Sequence, residues 1–181
     1  MWLRRIKILH NLPGYESDGS NRHHKREEVP PVILHLLAVL VLCLMCGSEL
    51  NVGVFARPTF KRQALEVHVL VRAALAKLLG QIMPFWMATS TLLNLALLLP
   101  FEHLNRMAWH FAAIAFAIQV FAVLFSVVFP VPINNRIMRW TPANLPQDWR
   151  TQERSWDAFH SFRTLGLIGS FALLTLSLAV R

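Results

Sequence analysis

Glu49 is the residue that most demands a chemical explanation. It follows a run without formal charge from Val32 to Ser48. A carboxylate among such neighbours is protonated, paired or facing water. In a partly dry pocket it can act as a general base or proton relay. The same acid can instead tie two helices together by pairing with an arginine. Partners for either role lie on a later segment. Trp149, Glu153, Trp156, His160 and Arg163 recur at i, i+4, i+7, i+11 and i+14, which puts them on one helix face. That face is either a polar site roofed by indole rings or an aromatic belt with snorkelling arginines at a membrane surface. Glu153 and Asp157 are expected to pair with Arg150, Arg154 or His160. Glu49 is expected to meet His160, Arg163 or His68, the last of which shares a helix face with Arg72.

Other polar residues offer less. Asn134 and Asn135 follow a proline exit and precede Arg136; paired amides there clamp a loop backbone or orient a carbonyl ligand. Cys43 and Cys46 have the C-x-x-C spacing, but they are the only two cysteines. A quinone-linked thiol oxidoreductase needs a second, shuttling pair, and a thiolate deep in an apolar helix is poorly solvated. The two therefore read as packing residues. No H-E-x-x-H, H-x-x-E-H or phosphate-cradling glycine motif is present, so no metal site is expected. A Glu49–His68–His160 set is the one such grouping that geometry would allow.

The elements that must position these groups are membrane spans. Of 181 residues 55% are apolar and 15% charged, against roughly 25% charged in average globular chains. Mean hydropathy is +0.43. The charges crowd into the gaps between long apolar runs, as a bilayer requires. The sequence predicts an all-α integral membrane protein: an antiparallel four-helix bundle with a polar, Trp- and Arg-rich loop-helix before the last span. Spans are expected at about 32–56, 73–99, 108–130 and 162–180, within a domain covering 32–181. Arg57-Pro58 is read as closing the first span, residues 100–107 as a turn, and Pro130-Val131-Pro132 as ending the third. Residues 133–163 are read as the one long connection, turning at Thr141, Pro142 and Asn144 before a helix that runs on from Asp148.

Residues 1–31 read as a disordered basic leader, since they offer nothing to bury. The formal net charge is +8. Its basic residues flank apolar spans, so membrane lipids are the expected partner and nucleic acid is not. Lys and Arg number eight on the terminus side and ten on the other. The basic leader favours termini in the cytoplasm, with the chain in the cell membrane.

The stretch from Pro132 to the apolar tail resembles the small membrane family carrying the DUF1772 domain, the anthrone oxygenase-like family. The likeness rests on Pro132, Asn134, Asn135, Trp140, Pro146, Asp148-Trp149, Arg154, Trp156, His160 and Arg163-Thr164. Glu49, Phe55, Pro58, Leu79-Gly80 and Met83-Pro84 resemble the family's first half, and together the likeness spans about residues 35–180. It implies a four-helix membrane protein. A few relatives oxidise an anthrone to an anthraquinone with molecular oxygen and no evident cofactor.

On that footing Glu49, His160 and Arg163 are the candidate catalytic residues. His68, Asn134, Asn135, Trp149, Arg154 and Trp156 are the candidate binding residues. Glu49 or His160 would take a proton from a hydrophobic aromatic molecule, Arg163 and Asn135 would steady the oxyanion, and Trp149 and Trp156 would stack on its rings. Two readings compete: a non-catalytic membrane protein that binds a lipid-like ligand or a partner, its polar cluster a latch, and a proton or small-cation conductor.

Overall fold

A computed structural model of the chain describes residues 31–99 and 104–181. The basic leader up to residue 30 and the first half of the 100–107 turn, residues 100–103 with His103, lie outside the described residues. The described chain is helical, and four of its helices are long and apolar enough to cross a membrane. The first, α1 (Pro31–Asn51), carries no formal charge but Glu49. It does not end at Arg57-Pro58 as expected. It passes through a π-helical stretch, Val52–Ala56, where the Arg57 N–H bonds back to Val52 O, and continues as α2 (Arg57–Lys61). Pro58 falls in the first turn of α2, directly after the π-helical stretch.

Next come α3 (Leu65–Leu98), with Pro84 inside it, and α4 (Arg106–Val128). The Asn105 side chain caps α4 by accepting from the Ala108 N–H at 2.9 Å. Pro130 does not simply end a span. It opens a further short helix, α5 (Pro130–Ile137), because proline suits a first helical turn. So part of the expected 133–163 connection is helical, Asn134 and Asn135 included. The chain then turns where the Asn144 N–H meets the Thr141 carbonyl and hydroxyl, both at 3.1 Å. The last helix is α6 (Trp149–Ala179).

α1 packs against α3 and α6, and α4 packs against the same two. The four long helices form a square of antiparallel neighbours. Its outside is apolar: Leu40, Leu44, Leu92, Phe121, Leu124 and Leu165 are all more than half exposed. Its inside is small and polar. Ala112, Ala115 and Ala122 of α4 are buried, the Gln119 amide donates to Ser170 Oγ at 3.0 Å, and Ser170 and Ser177 donate to the Ala115 and Ala108 carbonyls at 2.9 and 2.8 Å. Water would favour the reverse distribution. Hydrocarbon favours this one, because small residues let helices approach and polar groups bond only to each other. Cys46 packs in this core as expected, whereas Cys43 is exposed on the outside of the bundle; both are free.

Helix length sets where chemistry can sit. The 34 residues of α3 span about 51 Å at 1.5 Å per residue, well beyond a hydrocarbon core of about 30 Å. The first turns of α3 and of α6 therefore project past the apolar square at the same end. They carry most of the charged residues of those helices, and α2 and α5 pack around them.

Candidate active site

Glu49 lies at the end of α1, buried to 1% exposure, and faces one side of α6. Arg163 Nη2 donates to both of its carboxylate oxygens at 2.6 Å, and His160 Nε2 meets Oε2 at 2.8 Å. The Thr164 hydroxyl is 3.4 Å from Oε2 and donates to the His160 carbonyl at 2.8 Å. Residues 160, 163 and 164 share a face by i+3 and i+4 spacing, which is why one acid reaches all three. From α4, Ser126 Oγ accepts from Arg163 Nη1 at 3.2 Å. The Arg163 Nε–H is buried and has no acceptor among the described residues.

A second charged network sits farther out along α6. His68 Nε2 meets Glu153 Oε1 at 2.7 Å. Asp157 gathers three cations: Lys61 at 2.7 Å, Arg72 at 3.1 Å and Arg57 at 3.5 Å. Arg57 also donates to the Asp157 carbonyl at 2.8 Å and to Ser161 Oγ at 3.0 Å. The π-helical stretch makes this reach possible. Two α-helical turns take about 7.2 residues, so eight residues past Glu49 a regular helix would rotate Arg57 off the Glu49 face. A π turn takes in about one extra residue, which returns Arg57 to it. Gly53 clears the path, since a Cβ there would come within 2.9 Å of Arg57 Nη2.

Trp156 joins the two networks. Its ring stacks on His160 with centroids 4.8 Å apart and planes 25° apart, and the Arg72 guanidinium lies 4.2 Å from its centre. All three side chains are buried.

Beside the Glu49 cluster is a cavity of about 240 Å³. Glu49, His160, Arg163 and Trp156 form its polar floor. Gly80, Met83, Pro84 and Met87 of α3 make one wall, and Val123 and Val127 of α4 with Val131, Asn134 and Asn135 of α5 make the other. Gly80, Pro84, Ala88, Val127 and Val131 are exposed on the outer surface of the bundle. The mouth therefore opens sideways between α3 and the α4–α5 corner, with an apolar rim.

Of the candidate residues, the structure brings Glu49, His160 and Arg163 into direct contact and sets Trp156, Asn134 and Asn135 on the same cavity. Asn134 is held there by donating its amide to the Ala76 carbonyl at 2.9 Å. The remaining candidates lie elsewhere. His68 bonds Glu153 rather than Glu49, and Trp149 sits edge-on to His68 at 5.7 Å, away from the cavity. The Glu49–His68–His160 grouping is therefore not assembled. Arg154 is exposed and, among the described residues, its one hydrogen bond is to Thr151 Oγ1, at 3.4 Å. Glu153 and Asp157 pair not along α6 but across to α2 and α3, because their helix face is turned inward. Arg57, Lys61, Arg72, Ser126 and Thr164 are members that sequence reasoning missed. The one hint was the cluster of charges opening α3. Among the described residues, no group of three or more His, Cys, Asp and Glu is placed to hold a metal ion.

Comparison with known proteins adds one result. No curated protein and no solved structure matches the chain. A family model, that of anthrone oxygenase, matches residues 73–173. The matched region holds both cavity walls and every floor residue except Glu49. It covers more than half of the chain, and it coincides with a square of apolar helices around a buried acid: this chain is a multi-pass membrane protein of the anthrone oxygenase family.

Proposed function

We propose that the cavity takes up a lipid-soluble, fused aromatic ketone of the anthrone kind and that the protein oxidises it with molecular oxygen. The observation that carries this is the Glu49–His160–Arg163 cluster flooring a mostly apolar cavity that opens toward the bilayer. The ligand enters from the membrane through the α3/α4–α5 mouth. Trp156 and the two methionines of α3 pack against its rings.

The Glu49–His160 pair accepts a proton from the ring CH2 group, and Arg163 and Asn135, both on the cavity lining, steady the oxygen on which negative charge develops. The carbanion passes one electron to oxygen, and the radical and superoxide combine to form the new C–O bond. The peroxide anion takes the proton back. Loss of water then breaks the O–O bond and the remaining C–H bond, leaving the ketone. In balance, one CH2 and one O2 give one C=O and one water, with the substrate as the sole reductant.

The test is oxygen uptake and quinone absorbance by the purified protein with a hydroxylated anthrone. Glu49→Gln and His160→Ala each abolish turnover while the protein still accumulates in membranes. Full activity in both variants overturns the mechanism. A second reading has one observation in its favour: Arg163 already occupies both Glu49 oxygens, as a latch between α1 and α6 would. A pure latch predicts that Glu49→Gln lowers stability and that no anthrone is turned over by the wild type.

A further inference from the structure

Pro84 lies in the interior of α3. It has no N–H, so the carbonyl four residues earlier, that of Gly80, loses its helical donor. In water this costs little. In a bilayer a freed carbonyl must find another donor. Neighbouring side chains do not supply one. Asn134 is nearest, with its Nδ2 3.1 Å from where a Gly80 Cβ would stand, but it donates to the Ala76 carbonyl. Among the described residues no side chain donates to Gly80 O. A helix carbonyl points along the axis toward the residue four ahead, and both Gly80 and Pro84 line the cavity. Gly80 has no side chain to cover its own carbonyl.

We propose that the Gly80 carbonyl, released by Pro84, is a ligand subsite that accepts a hydrogen bond from a hydroxyl group on the cavity's occupant. This deepens the aromatic-ketone function and rests on it. It also adds a preference. The floor offers a cationic side chain, Arg163, and the α3 wall offers an acceptor, so the cavity favours ring systems bearing both an oxyanion-forming oxygen and a free phenolic hydroxyl over those with a ketone alone.

Two probes test this: anthrone, and a hydroxyanthrone whose hydroxyl is too far from the ring ketone to bond to it. Both are titrated under nitrogen, so no turnover intervenes. Wild type binds the hydroxy probe about three- to tenfold more tightly, the worth of one hydrogen bond. Pro84→Ala restores the N–H and closes the helical bond, so the variant binds the two probes equally, whatever its affinity for anthrone. Equal weakening of both probes, or an unchanged difference, overturns the subsite and leaves the aromatic function standing. If neither probe binds wild type, the aromatic function falls with it.

A second measurement needs no variant. Of the seven glycines only Gly80 precedes a glutamine. Labelling glycine carbonyl carbon and glutamine nitrogen therefore isolates the Gly80 carbonyl in a solid-state NMR spectrum. Its resonance moves with the hydroxy probe and not with anthrone. A resonance unmoved by the hydroxy probe when bound overturns the subsite.

Discussion

The Glu49–Arg163 pair should be broken one side at a time and then from both. Glu49→Gln keeps the shape of the side chain and removes its charge. Arg163 then keeps Ser126 at 3.2 Å and one amide oxygen, but its cation has lost a carboxylate at 2.6 Å in a site where Glu49 is 1% exposed. Stranding one member of a buried pair costs about 3–5 kcal/mol. The remaining amide contact returns about 1 kcal/mol. The net loss is therefore about 2–4 kcal/mol. Arg163→Met leaves Glu49 with His160 and Thr164 and costs a similar amount. Removing both charges strands neither, so the double variant recovers most of the loss instead of doubling it. The assay is a denaturant titration of the four proteins in mixed micelles, followed by tryptophan fluorescence. A coupling energy of at least about 2 kcal/mol is expected. Additive single losses would mean that the two groups do not meet in the folded protein, and the floor of the cavity would have to be rebuilt without them.

Three further outcomes follow from the outer network and the surface. Asp157→Asn removes the common partner of Arg57, Lys61 and Arg72, and should cost about 3 kcal/mol in the same titration. Arg154→Ala should stay within about 0.5 kcal/mol of wild type and leave anthrone affinity unchanged, because Arg154 is exposed with one weak contact. A reporter fused after Arg181 should be active only in a form that works in the cytoplasm, and periplasmic or extracellular activity would reverse the orientation drawn from the basic leader.

The bundle was legible because its signal is long. Runs such as Val32–Ser48 and the tail of α6 are too apolar for any other solvent. Part of the site was legible for a similar reason: Glu49 is an anomaly in its run, and the inward face of α6 announces itself through i+3 and i+4 spacing. Spacing on one helix does not show which other helix faces it, or at what depth. That is why Glu153 and Asp157 looked like partners for arginines on their own helix, when the inward turn of their face sends them to His68, Arg57, Lys61 and Arg72. Trp149 and Trp156 looked equivalent by pattern. Seven residues of helix separate them by about 10 Å, enough to put one at the outer network and the other on the cavity floor.

The π-helical stretch was invisible in the sequence, yet it decides whether the two networks share α6. Deleting Gly53 tests this directly. With one residue fewer, the stretch can close as regular α-helix, and Arg57 then stands seven residues after Glu49, within about 20° of two full turns. Glu49 precedes the change and keeps His160 and Arg163. Arg57 keeps its bonds to the Asp157 carbonyl and Ser161 Oγ. Arg57→Met should therefore cost about 2–3 kcal/mol in the shortened chain, as it does in the full one. If Arg57→Met changes nothing more once Gly53 is gone, the deletion has already turned Arg57 away. The stretch would then not be one extra residue carried inside an α-helix, and it would not be what brings Arg57 back over the face that holds Glu49.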